Sequence, residues 1–252
     1  MFVLPIKVFL IFLIILTLGP IQYILVKIKL KQRIYIPIIF HKALLKILGV
    51  KVKLIGEKTS IRPLILAGNH TSYIDIIILG SIMPICFIAK QEIKSWFLFG
   101  FLAKMQNTIF IKRKNFKTLE NIKNINKDLD SRSAIVLFPE GTTNSGKKIL
   151  NFKSSLFNLF ESNNTLRLQN FSLCYTHVND MPIDNRTRPQ ISWYGDMNII
   201  AHLLNFLKLS SVNATVVLHP VMQLEGQNRK TISILSIKQV KEGIITALKK
   251  LN

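Results

Sequence analysis

Positions Val8 to Val26 are 19 residues without a formal charge. In hydrocarbon, every backbone N–H and C=O has to be satisfied within the segment, so such a run has one good solution, a helix. Straight, it would reach about 28 Å, close to the roughly 30 Å core of a bilayer. Gly19-Pro20 interrupts the run and leaves a second geometry open, two shorter helices lying in one leaflet. Lys27, Lys29, Lys31 and Arg33 follow at once, whereas Lys7 alone precedes. Basic flanks stay on the cytoplasmic side, so the rest of the chain is expected there. The charge-poor start and the lack of a small-x-small site argue against a cleaved signal peptide. Ile38 to Leu48 reads as an amphipathic surface element, with His41, Lys42 and Lys46 on one membrane-facing side and Gly49 as C-cap. Residues 1–49 are therefore expected to form a membrane anchor and amphipathic helix, and residues 50–252 a domain of ordinary size.

Beyond the anchor, strand and helix patterns alternate. Val50 to Leu54 alternates apolar and basic residues, as a half-exposed strand does. Leu64-Ile65-Leu66-Ala67, bounded by Pro63 and Gly68, reads as a strand buried on both faces. A helix follows over Ile74 to Met83, then a strand from Ile85 ending at Lys90, and an aromatic-rich helix over Lys94 to Met105. Thr108 to Ile111 reads as a strand that delivers Arg113. Phe116, Leu119, Ile122, Ile125 and Leu129 mark one face of a further helix. Ala134 to Phe138 is a buried strand running into Pro139-Glu140-Gly141-Thr142. Ile237, Val240, Ile244, Ala247, Leu248 and Leu251 form a stripe that closes the domain. The expected fold class is α/β: a mixed, partly parallel sheet flanked by helices, behind an N-terminal membrane-anchoring helical segment.

The formal charge of +21 calls for an acidic partner: an anionic membrane, a phosphorylated substrate or nucleic acid. The basic residues are dispersed and form no nucleic-acid module, so a lipid-facing basic surface is the better account of most of them. A non-enzymatic basic protein coating a membrane or nucleic acid is the rival from another class. Cys86 and Cys174 lie in apolar stretches and read as buried thiols. His177, His202 and His219 share no metal-ligand spacing, and no metal is expected.

His70, Lys90, Arg113 and Glu140-Gly141 each stand just past a strand end. If those strands are parallel, all four share one sheet edge, where ligands of α/β sheets bind. A histidine with a carboxylate five residues on, Asp75, is the usual way to make a base near neutral pH. Two cations and a glycine turn beside it are equipment for holding a phosphate while a hydroxyl is activated. Gly141 to Lys148 is one residue short of a nucleotide-cradling P-loop, but Lys148 stands where a metal-holding Ser or Thr is needed.

Three blocks occur in order: Asn69-His70-Thr71-Ser72-Tyr73-Ile74-Asp75, Ile109-Phe110-Ile111-Lys112-Arg113 and Phe138-Pro139-Glu140-Gly141-Thr142. With them the chain, from Val50 to the 220s, resembles the glycerolipid acyltransferase family, specifically its bacterial lysophosphatidic acid acyltransferase branch. The resemblance implies transfer of a fatty acyl group from coenzyme A or acyl carrier protein to the free hydroxyl of a lysophospholipid, most of all lysophosphatidic acid. It implies no metal or redox cofactor and a place at the cell inner membrane. His70 would be the general base and Asp75 its orienting carboxylate. Arg113 would clamp the acceptor's phosphate, Lys90 would add a second contact, and Glu140, Gly141 and Thr142 would shape the acceptor site. The lysines would also suit an acidic acyl carrier protein. Three positions depart from the family pattern: Asn107 for glycine, Thr143 for arginine and Asn170 for proline. Trp193 to Met197 resembles a branch that acylates other lyso-lipids, such as lyso-ornithine lipid, so the acceptor is less firmly implied than the reaction.

Overall fold

The computed structural model of the protein describes residues 3–111, 134–161, 163 and 165–249. The apolar run forms one helix, α1 (Val3–Lys27), which continues through Gly19-Pro20. Of the two geometries left open above, the pair of short helices is therefore not the one adopted. At 25 residues α1 is about 37 Å long. It lies along the domain rather than projecting from it. Near one end the Lys7 ammonium donates to Leu48 O (3.1 Å) and Leu209 O (2.7 Å). Near the other, the Gln22 amide donates to Arg33 O (2.9 Å) and Met105 O (2.7 Å). Leu4 and Ile11, on either side of Lys7, pack on the core, while Phe9, Phe12 and Leu16 point outward at 63, 62 and 59% exposure.

Helix α2 (Ile36–Leu48) ends on Gly49, whose φ of 76° supplies the left-handed cap. Here the structure corrects the expected membrane-facing side. Lys42 and Lys46 are exposed, but His41 is only 5% exposed and buried with Leu45 and Leu48. Positions i, i+4 and i+7 form one helical stripe, so periodicity rather than charge decides where His41 points. Its ring lies against Gly80 so closely that a Cβ there would come 2.0 Å from Nδ1. Burial pushes the His41 imidazole from its ordinary 6.5 down to about 4, partly offset by the Gly80 backbone. The folded state thus resists a proton that the unfolded chain accepts. Stability should fall as pH drops from about 6.5 toward about 4, by up to about 3 kcal/mol. Comparing melting at pH 7 and pH 4.5 for wild type and His41→Leu checks this, since the variant should lose that part of the dependence.

The sheet comprises β1 (Val50–Ile55), β2 (Leu64–Gly68), β3 (Ile85–Lys90), β4 (Ile109–Ile111), β5 (Ala134–Leu137), β6 (Arg167–Val178), β7 (Met181–Pro182) and β8 (Val212–Met222). Their order is β1-β8-β6-β2-β5-β3-β4, with β7 paired to β6. From β6 to β4 all neighbours are parallel, β8 runs antiparallel to β6, and β1 pairs parallel with β8. The sheet is mixed and partly parallel, as expected. Strands β2 and β5 are buried throughout because both faces are covered. On β2, Leu64 and Leu66 join the layer built with α2 and α3 (Ile74–Ile82), while Ile65 and Ala67 join the opposite layer with Phe152, Phe157 and the C-terminal helix Arg229–Lys249.

The C-terminal helix departs from its expected stripe. Val240 and Ala247 are buried, but Leu248 is 45% exposed, and the inward line runs through Ile232, Ser233, Ser236, Val240, Gly243 and Ala247. Small residues win because the helix sits tight on the sheet: a Cβ on Gly243 would come 2.2 Å from Ser172 Oγ and 2.7 Å from His219 Nε2. Leu251 lies outside the described residues, as do Arg113 and the helix expected over Phe116 to Leu129. The aromatic-rich helix begins later than expected, as α4 (Phe97–Met105) after a short 3-10 turn.

Because β2, β3, β4 and β5 are parallel, their carboxyl ends share one edge. His70 follows β2, Lys90 closes β3, β4 ends at Ile111, and Glu140 follows β5.

Candidate active site

The loop between β2 and α3 is held by its backbone before any side-chain chemistry enters. His70 N donates to Glu140 Oε1 at 2.8 Å, and His70 O accepts from both the backbone and the side-chain nitrogen of Asn144, each at 3.1 Å. Thr71 O accepts from Trp193 N (3.0 Å). One residue before the histidine, the Asn69 side chain exchanges two hydrogen bonds with the Leu173 backbone, 2.8 and 2.9 Å. Gly68 allows this close approach, since a Cβ there would sit 2.3 Å from Phe171 O.

Asp75 opens α3, where the helix dipole favours a carboxylate. It is fully buried, and its Oδ2 accepts from Thr71 N (2.7 Å) and Ser72 N (3.0 Å). The same oxygen lies 2.8 Å from His70 Nδ1. A carboxylate can only accept, so Nδ1 carries the proton and Nε2 is left as the basic nitrogen. His70 keeps 16% side-chain exposure, and Phe138 stacks on its ring with centroids 3.8 Å apart. Tyr175 OH donates to Asp75 Oδ1 at 2.6 Å.

Glu140 is 2% exposed and surrounded by protein donors. Besides His70 N, it accepts from Leu150 N (2.8 Å) and Asn144 Nδ2 (2.5 Å) through Oε2. Burial pushes its carboxyl above the usual carboxylate range, opposed by those hydrogen bonds and by the nearby His70. Glu140 therefore acts on the site by tying the β5 turn to the His70 loop. Gly141 adopts φ +73°, and a Cβ there would meet Lys153 Nζ at 2.6 Å. Lys153 is thus a cation beside the Gly141-Thr142 turn that the linear sequence did not single out. Thr142 is exposed at that turn, and Lys90 ends its strand on the same edge. Arg113 lies outside the described residues. The segment from Gly141 to Lys148 makes bends with no helix opening from it, so the P-loop reading fails.

A sequence profile of the family described as Acyltransferase matches residues 50–178. The chain belongs to the acyltransferase family. This acyltransferase is 32% identical over 235 residues, 90% of its own length and 80% of the other's, to a protein of Rhizobium meliloti named lyso-ornithine lipid O-acyltransferase. It is 38% identical over 94 residues, 37% of each chain, to a 1-acyl-sn-glycerol-3-phosphate acyltransferase of Neisseria gonorrhoeae. Its fold resembles the crystal structure of PlsC, a 1-acyl-sn-glycerophosphate acyltransferase from Thermotoga maritima, with a TM-score of 0.62, 17% identity and coverage of 95% of this chain and 97% of that one. Membership replaces the reading of a non-enzymatic basic protein.

The departures from the family pattern now have places. Asn170 is fully buried and donates to Gln239 Oε1 on the C-terminal helix (2.7 Å), on the sheet face opposite His70. Thr143 follows the Gly141-Thr142 turn, close to where Lys153 brings its ammonium. Asn107 takes φ 54°, a left-handed conformation that glycine and asparagine tolerate best.

Proposed function

We propose that this acyltransferase moves a fatty acyl group from an acyl thioester to a hydroxyl of a lyso-lipid, using His70 as general base. The observation that carries this reading is the pairing of His70 Nδ1 with a buried Asp75 at 2.8 Å on the edge where the strands end. Nε2 would take the proton of the acceptor hydroxyl as its oxygen attacks the thioester carbonyl. The tetrahedral adduct then expels the thiolate, which takes up the proton from the imidazolium. The thioester already carries the activation. Lys90, Arg113, Thr142 and Lys153 are the groups we assign to the acceptor's anionic group, carboxylate or phosphate, with Glu140 and Gly141 shaping the turn that carries Thr142 and meets Lys153.

The acceptor we favour is lyso-ornithine lipid. Sequence likeness to a protein of that name spans 90% of the chain, whereas sequence likeness to the Neisseria gonorrhoeae glycerol-phosphate acyltransferase spans 37%. Thr143 also leaves one cation fewer for a phosphate than the family pattern supplies. The outward apolar side chains of α1, with Lys27, Lys29, Lys31 and Arg33 beyond its end, suit a helix resting in the cytoplasmic leaflet of the inner membrane. Coenzyme A and acyl carrier protein are both fitting donors for such a basic surface.

Acyl transfer measured in vesicles with labelled acyl thioester, offering lyso-ornithine lipid and lysophosphatidic acid in turn, tests the assignment. We expect kcat/KM to favour lyso-ornithine lipid by at least about tenfold, a difference of about 1.4 kcal/mol. Preference for lysophosphatidic acid would reverse the acceptor assignment and keep the chemistry. Transfer to neither would remove the lyso-lipid reading.

A further inference from the structure

One face of β6 stands behind the catalytic pair. Side chains on a strand alternate, so Phe171, Leu173 and Tyr175 share the face that packs with α3, while Asn170 and Ser172 turn to the C-terminal helix. Phe171 meets Phe138 edge-on with centroids 6.0 Å apart, and Phe138 stacks on His70. The Leu173 backbone holds Asn69. Tyr175, 5% exposed, reaches Asp75.

We propose that Tyr175 is a positioning residue for acyl transfer: its hydroxyl pins Asp75 Oδ1 so that Oδ2 stays on His70 Nδ1 and Nε2 stays the free base. The proposal rests on the reading of His70 as general base. Three donors converge on Oδ2, His70 Nδ1 and the amides of Thr71 and Ser72, and Tyr175 meets the other oxygen from the opposite side. A carboxylate gripped at both oxygens cannot swing about its Cβ–Cγ bond, and a base whose partner cannot swing keeps one tautomer and one direction. Burial first, and then the adjoining Asp75, push the Tyr175 phenol well above its ordinary value, so the hydroxyl keeps its proton and remains a donor. The pair spans 100 positions of sequence.

The test is steady-state kinetics of Tyr175→Phe, Asp75→Asn and the double variant, with rates expressed per folded molecule. Misplacing a catalytic group slightly costs about tenfold to a hundredfold, so Tyr175→Phe should lose about that much in kcat. Both KM values should be unchanged, because the phenol touches no substrate. In the Asp75→Asn background the same change should cost less than about twofold, since the two residues act as one unit. A Tyr175→Phe enzyme with wild-type kcat per folded molecule overturns the proposal, as does a loss that adds in full to that of Asp75→Asn. If Tyr175→Phe does not fold, 4-fluorophenylalanine placed at position 175 alone keeps the ring's shape and length and removes the donor. It should lower kcat at constant KM, and an unaltered kcat overturns the proposal. Retained activity in His70→Ala would instead remove the general-base reading itself, whereas an inactive His70→Ala beside a fully active Tyr175→Phe removes the positioning role alone.

Discussion

His70→Ala is expected to lower acyl transfer about a hundredfold to ten-thousandfold, the usual cost of losing a general base. The fold should survive the change. What His70 contributes to the loop's structure runs through its backbone, N to Glu140 and O from Asn144, and alanine keeps both. Asp75 keeps Thr71 N, Ser72 N and Tyr175 OH, so the buried carboxylate is still satisfied on both oxygens. The ring's stacking on Phe138 is lost, a contact worth about 1 kcal/mol. Transfer of label from acyl thioester to lyso-lipid, in membranes holding equal amounts of wild type and variant, reads the effect. A variant that works at the wild-type rate would show that some other group takes the proton.

Glu140→Ala should act in the opposite way, on stability first. It strips the acceptor from three donors at once, His70 N, Leu150 N and Asn144 Nδ2, in a place that is 2% exposed. A stranded buried donor costs about 1–3 kcal/mol, but Asn144 Nδ2 keeps His70 O and the amide of Leu150, 40% exposed, can take water. A total of about 2–4 kcal/mol is therefore expected, a drop of roughly 5–10 °C in melting temperature for a chain this size. Activity should fall as well, because the amide that fixes His70 is among the three. Burial raises the Glu140 carboxyl, so its ionised form is disfavoured in the fold relative to the unfolded chain. This one contribution therefore strengthens the fold as pH drops toward the ordinary carboxylate range and is lost as pH rises through the raised value. The alanine variant should lack it. Melting followed in detergent at two pH values gives both quantities, and a wild-type midpoint in the variant would show that Glu140 does not hold the loop.

The sequence was most legible where contacts are local or periodic. His70 and Asp75 lie five positions apart at the end of an apolar run, and the loop and first helical turn that join them do lie together. The parallel strands could be recognised because burial on both faces leaves unbroken apolar runs. Tyr175 left no such trace: it meets Asp75 from 100 residues away, and a tyrosine in a strand ordinarily reads as core. Lys153 was equally silent, since only the turn at Gly141 brings its ammonium to the sheet edge. His41 misled because its neighbours' charges outweighed its place on the stripe of Leu45 and Leu48. The C-terminal helix misled for a related reason, because hydrophobicity ranks isoleucine above serine while a close approach to β6 selects the smaller side chain.

The docking of α1 through Lys7 and Gln22 has a consequence for kinetics. A catalytic body tethered by a slack linker would sample many heights above a bilayer. Here the helix is hydrogen-bonded to the body near both ends, so wherever α1 rests in a bilayer, its depth would also set the distance from the headgroups to His70. Such an enzyme meets its acceptor by lateral diffusion in two dimensions. Its velocity will then follow the mole fraction of lyso-lipid in the surface, and diluting that surface with inert phospholipid will slow it even when the bulk concentration of acceptor is unchanged.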